Sequence, residues 1–320
     1  MDIVCLGEVL IDMFSAEVGV KLTEVSAFCP KPGGAPANVA VAAKRLGAES
    51  AFIGKVGEDL FGHHLEAVLK NEGVETRGMR FDDFARTTMA FVAKPDENTA
   101  EFVFYRNPGA DTRLTPGELD KSLLQSTRCL HFGSLSLSEE PARSATLEAI
   151  KIARSANALI SFDVNYRPSL WKSPEQAYDT VMKVIPLVDL LKVNETEIEL
   201  LGGSEDYKNG AQKLLKYGPD LIVVTLGPDG SYFQLETGGE YSQPYRVDTV
   251  DAIGCGDAFI AGLLSQLVKS DNWRDNLNIN RMKNVLKYAN AVGAITALTL
   301  GVIPALPFAA QVDDFIKQNE

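Results

Sequence analysis

Short apolar runs alternating with longer stretches of helical spacing constrain this chain more than any other feature. The runs 3–6, 51–53, 129–132, 159–162, 190–193 and 221–225 read as buried strands. Parallel neighbours need a crossover, and crossovers place helices on the sheet faces. The alternation therefore predicts an α/β fold, a doubly wound, mainly parallel sheet covered on both sides. Helix punctuation agrees: Ser173-Pro-Glu-Gln176 offers a capping residue, proline at the first helical position and glutamine three on, and Gly47 stops a helix over 37–46. With 320 residues, 45% of them hydrophobic, the chain can bury a large core, and one domain over 1–320 is expected.

Two segments, 14–32 and 87–106, interrupt the alternation. In the second, Thr88-Met-Ala-Phe-Val-Ala-Lys94 and Ala100-Glu-Phe-Val-Phe-Tyr105 flank the turn-rich Pro95-Asp-Glu-Asn98, which predicts a β-hairpin. A parallel sheet has no ready place for it. Both segments are expected in one small antiparallel sheet standing off the main layer, as a lid or as a homodimer surface.

Composition narrows the partners. A net charge of −12 disfavours nucleic acid and anionic membranes, so any phosphate site must be local. The four cysteines lie far apart without a C-x-x-C spacing, indicating neither zinc nor a disulfide framework. With no basic leader and no stretch near the ~18 apolar residues of a membrane span, a cytoplasmic location is expected.

Ligands of open α/β sheets bind beyond the carboxyl ends of the strands, and polar residues recur there: Gly7-Glu8 and Asp12, Asp163-Val-Asn-Tyr-Arg167, Asn194-Glu-Thr-Glu197, and Thr225-Leu-Gly-Pro-Asp-Gly230. Each alone reads equally as a cap or turn; their recurrence at one edge points to a site. The strongest local signal is Asp251-Ala-Ile-Gly-Cys-Gly-Asp257, between a β-like run over 245–250 and an apolar helical run over 258–268. Gly254 and Gly256 permit a tight turn, and the first N–H groups of the helix form an anion site. A carboxylate at Asp257 is awkward beside an anion, unless it takes a proton from a hydroxyl attacking that phosphate; capping the helix is the competing reading. A second loop, Gly33-Gly-Ala-Pro-Ala-Asn38, allows close backbone approach, and Asn38 suits sugar hydroxyls. There is no P-loop, and the turn lacks the third glycine of a dinucleotide fingerprint, which disfavours an NAD-linked dehydrogenase. His63, His64 and His131 are expected at the surface or in the core rather than on a metal.

The two glycine motifs, Gly33-Gly-Ala-Pro-Ala-Asn-Val-Ala40 and Asp251-Ala-Ile-Gly-Cys-Gly-Asp257, resemble the defining signatures of the PfkB (ribokinase-like) sugar kinases, and the resemblance spans the chain. Gly7-Glu-Val-Leu-Ile-Asp12, Phe104-Tyr-Arg-Asn-Pro-Gly-Ala-Asp111, Asp163-Val-Asn-Tyr-Arg167 and Gly301-Val-Ile-Pro-Ala-Leu-Pro307 are most similar to the fructose-phosphorylating branch. The resemblance implies an α/β core with a β lid, ATP and Mg²⁺, and Asp257 as the base, with the N–H groups of Gly254, Cys255 and Gly256 as the anion hole. It implies sugar contacts from Asp12, Gly33, Gly34 and Asn38, with Arg106 reaching in from the lid and Arg167 near the sugar or phosphates. Thr225, Gly227, Gly230 and Asn290 would line the nucleotide site. Asn194 and Glu197 match an N-x-x-E motif that organises Mg²⁺, with Glu197 acting through water. Many relatives bind K⁺ beside the second motif through a hydroxyl residue where this chain has Ala305, while Asp251 is retained as a monovalent-cation ligand. Cys255, at a helix N-terminus, is expected to have a lowered thiol pKa. Other readings are a 2-keto-3-deoxygluconate kinase and a non-catalytic sugar sensor; the latter has little need of Asp257.

Overall fold

A computed structural model of the chain describes residues 1–95, 101–270 and 272–319. The strands are β1 (Ile3–Leu6), β2 (Leu10–Ser15), β3 (Phe28–Gly33), β4 (Ser50–Gly57), β5 (Glu75–Asp82), β6 (Met89–Ala93) and β7 (Glu101–Tyr105). They continue with β8 (Cys129–Gly133), β9 (Leu159–Asp163), β10 (Leu190–Asn194), β11 (Leu221–Thr225), β12 (Ser231–Leu235) and β13 (Gly238–Ser242). Nine of them form one sheet in the order β13-β12-β11-β10-β9-β8-β1-β4-β5. All its pairings are parallel except β11–β12 and β12–β13. From β1 the chain winds outward first through β4 and β5 and then, on the other side, through β8 to β11. The β1–β8 seam is thus the topological switch point, where ligands of such sheets bind.

Alternation along β1 shows how the faces are filled. Ile3 and Cys5 enter one core, with the helices Ala35–Arg45, Cys255–Leu267 and Ile279–Thr296. Val4 and Leu6 enter the other, with Ala142–Ser155, Pro174–Val184 and Tyr207–Leu215. Such strands are apolar on both sides because both faces are covered. Each fully buried Leu, Ile or Phe contributes on the order of 1.5–3 kcal/mol. Ser173 caps its helix by accepting from the Gln176 N–H at 3.2 Å, with Pro174 at the first position.

The remaining four strands form a second sheet, β3-β2-β6-β7. The expected hairpin is present as the antiparallel pair β6–β7; residues 96–100 of its turn lie outside the described residues. One expectation changes: β2 and β6 run parallel, so the small sheet is mixed rather than antiparallel. Strands β2 and β6 both leave the main layer in the same direction, and antiparallel pairing is left to the partner that each turns back into. A second change concerns residues 245–250, which are in no strand. The run ahead of the glycine turn therefore approaches the site outside the sheet, with the Val250 N–H donating to the Ala297 carbonyl at 2.8 Å.

Candidate active site

The helix Cys255–Leu267 starts earlier than the apolar pattern suggests, because the apolar stripe begins at Ala258 while the helical backbone begins at Cys255. Gly254 is its N-cap, with φ +81°, and a Cβ there would lie 2.3 Å from Val302 Cγ1; both favour glycine. The first α-helical bond runs from the Ala258 N–H to the Gly254 carbonyl. Asp257 therefore occupies the first turn, its carboxylate beside N–H groups that precede the helical ladder. Among the three proposed anion-hole N–H groups, that of Cys255 donates to the Ala252 carbonyl at a long 3.3 Å.

Asp257 Oδ2 accepts from Asn38 Nδ2 at 2.8 Å, across 219 residues of sequence. Burial pushes its carboxyl up to about 6; the Asn38 bond opposes this, the charge of Asp163 adds to it, and Lys192 and Arg167 oppose it. A carboxyl in that range is poised as a general base near neutral pH. Asn38 lies in the helix Ala35–Arg45, whose N-cap Gly34 has φ +104° and stands where a Cβ would meet the Glu8 carbonyl at 2.6 Å. The second glycine loop thus delivers Asn38 to Asp257, a link that sequence spacing alone does not reveal. Asn38 Oδ1 is buried with no hydrogen-bond partner among the described residues, an acceptor suited to a ligand hydroxyl.

On β2, Asp12 faces the same space. Burial and then the charge of Asp257 push its carboxyl up to about 7, with Arg167 opposing. Gly33 backs against it: a Cβ on Gly33 would fall within contact of Asp12 Oδ2, so a side chain there would displace the carboxylate. Glu8, two residues past β1, accepts from the Ala35 N–H at 3.1 Å through Oε1 and leaves Oε2 buried without a partner among the described residues. Its carboxyl is also pushed up to about 7, chiefly by burial.

Arg106, just past β7, is held rather than free. Its guanidinium donates to Asp111 Oδ2 (2.7 Å), Ser138 Oγ (2.8 Å) and the Leu135 carbonyl (3.0 Å), and the residue is buried. Arg167 is partly exposed, donates to the Tyr166 carbonyl at 3.2 Å, and lies 5.9 Å from the centre of the Phe102 ring of the lid. Its charge acts on both Asp12 and Asp257, so of the two arginines it is the one beside those carboxylates.

Strand register aligns the next group. Asp163 pairs with Lys192, and Asn194 with Thr225, at the carboxyl edge of the sheet. Asn194 and Glu197 form a capping box, Oδ1 of the one accepting from the other's N–H at 2.9 Å and Glu197 Oε2 accepting in return at 2.9 Å. Glu197 Oε1 accepts from the Tyr166 N–H at 2.6 Å, and burial followed by the charge of Asp163 raises its carboxyl. The N-x-x-E motif is thus first of all a rigid corner. Among the described residues, no three His, Cys, Asp or Glu side chains are grouped to hold a metal ion.

Lys192 is a residue the pattern reading passed over. It is buried in β10, and its Nζ donates to Asp163 Oδ2 at 2.8 Å. A Cβ on Gly256 would lie 3.3 Å from that ammonium, which sets a fixed positive charge against the first turn of the helix. Burial alone would lower Lys192, yet Asp163, Glu197 and Asp257 hold it above its ordinary value. The signal was available: a lysine inside an apolar strand run needs a buried partner.

Further along, Thr225 Oγ1 donates to the Val193 carbonyl at 3.4 Å, and Gly227 and Gly230 bracket a short helical turn. The Asn290 amide is engaged: Nδ2 donates to Ser242 Oγ and the Gln243 carbonyl, and Oδ1 accepts from Ser231. It steadies the loop after β13. Asp251 is almost fully buried and bonded to Lys94 of the lid. The Cys255 thiol is raised to about 12, chiefly by burial and then by the charges of Asp251 and Asp257, which reverses the expected lowering at the helix terminus. His63 and His64 are exposed, and His131 is buried beside Ser161 Oγ at 3.0 Å.

A switch-point cleft with a carboxylate at a glycine-rich helix N-terminus, roofed by a small β sheet, is the design of a sugar kinase. Residues 1–309 match the model of the pfkB family carbohydrate kinases, and the chain belongs to that family. It is 42% identical to fructokinase-2 of Solanum lycopersicum over 317 residues, covering 98% of this chain and 96% of that protein. The solved fructokinase of Xylella fastidiosa with bound ATP superposes with a TM-score of 0.91 at 30% identity, covering 99% of this chain and 98% of the other. A fructokinase double mutant of Vibrio cholerae O395, solved with fructose, ADP and a potassium ion, gives 0.88 at 31% identity, covering 98% of each chain.

Proposed function

We propose that this protein is an ATP-dependent fructokinase, one kinase domain over 1–320 with its lid inserted, converting fructose to fructose 6-phosphate. The observation that carries the reading is the Asn38–Asp257 pair at the mouth of the helix Cys255–Leu267. Asp257, ionised and oriented by Asn38, takes the proton of the terminal sugar hydroxyl as that oxygen forms its bond to the γ-phosphorus. The bond from that phosphorus to the β,γ-bridging oxygen breaks, ADP departs, and Asp257 is left protonated. The N–H groups of the Gly254–Gly256 turn, with Lys192 behind them, meet the charge on the transferring group. Asn38 Oδ1, Asp12 and Arg167 orient the sugar, with Gly33 and Gly34 letting it approach. Thr225, Gly227, Gly230 and the loop steadied by Asn290 flank the nucleotide.

The chain offers no ready-made metal cage among its described residues, which fits Mg²⁺ arriving on the nucleotide phosphates and meeting Glu197 and Asn194 through water. Bound there, Mg²⁺ offsets phosphate charge. Kinship with fructokinases solved with fructose and ADP supports the substrate assignment. Among the described residues no helix is long and apolar enough to cross a membrane, and the free cysteines, two of them buried, suit a reducing compartment such as cytoplasm. ADP release measured over a panel of sugars, with and without Mg²⁺, tests the proposal: fructose should give the highest kcat/KM, and absence of Mg²⁺-dependent turnover on every sugar would refute it.

A further inference from the structure

Lys94 follows directly on β6 and carries its ammonium across 157 residues of sequence to Asp251 (Nζ–Oδ1 2.5 Å). The Asp251 side chain is 1% exposed, against 28% for Lys94. Oδ1 also accepts from the Ile253 N–H and Oδ2 from the Gly301 N–H, each at 3.1 Å. This carboxylate therefore ties together the lid, the loop entering the anion-hole turn, and the Gly301 turn. Val302, next to Gly301, packs against Gly254, so the Gly301 turn in its own right supports the N-cap of the catalytic helix. Lys94 takes no part in the reaction described above, and the Cys255 Sγ, Ile253 N–H and Gly301 N–H around Asp251 bring it no full positive charge.

We propose that Lys94 is a positioning residue, a counter-cation tethered to the lid that orders the anion-hole turn when the lid rests on the core. A buried carboxylate stripped of its cation is strongly disfavoured. When the lid lifts, Lys94 leaves with it, Asp251 loses its charge partner, and the loop into Gly254 loosens. The lid rests on the core, ammonium on Asp251, without a ligand, and a bound sugar holds it there so that the turn stays set for phosphoryl transfer. Lid closure and assembly of the anion hole become one two-state event, which discourages transfer to water before sugar is bound. The tethered charge also fills the place at Asp251 that a free monovalent cation would occupy, so activity does not require potassium. The catalytic consequence rests on the kinase reading; the coupling of lid to turn does not.

The test uses the full chain and its Lys94→Met and Lys94→Arg variants. In ligand-free protein, amides 251–256 of Lys94→Met should exchange on the order of 10-fold faster than wild type while the helix Tyr207–Leu215, packed against β11 and β12, is unchanged. With fructose and ATP, its kcat should fall on the order of 10-fold with the KM for fructose little altered. Added potassium or methylammonium should restore much of that loss, Lys94→Arg should retain most activity, and wild type should be indifferent to either ion. Wild-type exchange over 251–256 in Lys94→Met would overturn the proposal, as would a loss that neither cations nor Lys94→Arg recovers, or a wild-type enzyme that needs potassium. If wild type phosphorylates no sugar, the kinase reading fails, and the exchange comparison still decides the coupling.

Discussion

Asp257 and Asp12 share one cleft and both carry raised carboxyl pKa values, about 6 and about 7. They titrate as a pair, and the base must be ionised to work, so kcat/KM for fructose should fall on the acid side with an apparent pKa between 6 and 7. Asp257→Asn should fold, bind ATP and fructose, and lose on the order of 10²–10⁴-fold in kcat; near-wild-type turnover would remove Asp257 from the role of base. The same shifts bear on stability. A carboxyl raised in the folded state binds its proton more tightly there than in the unfolded chain. Its contribution is complete below the ordinary value of 3.8 and is lost as pH rises through about 7. Asp12→Asn should therefore stabilise the protein at pH 8, on the order of 1 kcal/mol after allowing for its partial exposure, and leave it unchanged at pH 4. Thermal unfolding at the two pH values reads the difference, and equal effects at both would deny the burial of that charge. At this scale the sequence displayed most of the chemical groups, yet not their partners. The Asn38–Asp257 bond and the Lys192–Asp163 pair join distant segments, and nothing in local spacing encodes them.

The glycine turn and the helix it opens act as one element. The Cβ of an alanine at Gly254 would have to enter Val302, at a backbone φ that side chains rarely adopt. Gly254→Ala should cost roughly 1–3 kcal/mol of stability and lower kcat more than Gly117→Ala, which meets open space on the surface. Chemical denaturation and steady-state kinetics on the two variants make the comparison, and equal effects would count against a built anion hole. The helix start was misjudged by three residues because periodicity reports the buried stripe, and residues 255–257 of the first turn are only partly buried. Likewise the run over 245–250 has strand-like composition with no partner strand to pair it, and pairing is a tertiary property.

Over the whole molecule, the proposed function divides the work between the two sheets: the nine-stranded layer and its helices would supply the base and the phosphate side, and the four-stranded sheet the lid. Substrate preference follows from charge. Asp111 already neutralises Arg106, and the charge of Arg167 faces Asp12 and Asp257, whose own carboxylates would repel a substrate carboxylate, so fructose should exceed 2-keto-3-deoxygluconate in kcat/KM. Faster turnover of the keto-deoxy acid at equal subsaturating concentration would reverse the assignment and leave the kinase chemistry standing. The lid also shows Val103 and Tyr105 to solvent, at 45% and 63% exposure, which makes it the expected homodimer face. Sedimentation of wild type and Tyr105→Glu should show a dimer lost in the variant; an unchanged assembly state would exclude this face. The β/α alternation, the two glycine motifs and the polar strand ends were legible because each is written in neighbouring residues, where the periods of helix and strand and the needs of a tight turn act directly. The mixed pairing of the lid, the sheet's antiparallel edge, the fixing of Arg106 on Asp111 and the reach of Lys94 to Asp251 were decided only by the tertiary structure. Each depends on which groups come to share a low-dielectric space, whether five residues apart as Arg106 and Asp111 or 157 apart as Lys94 and Asp251, where an unpaired charge or backbone group is costly enough to select its partner.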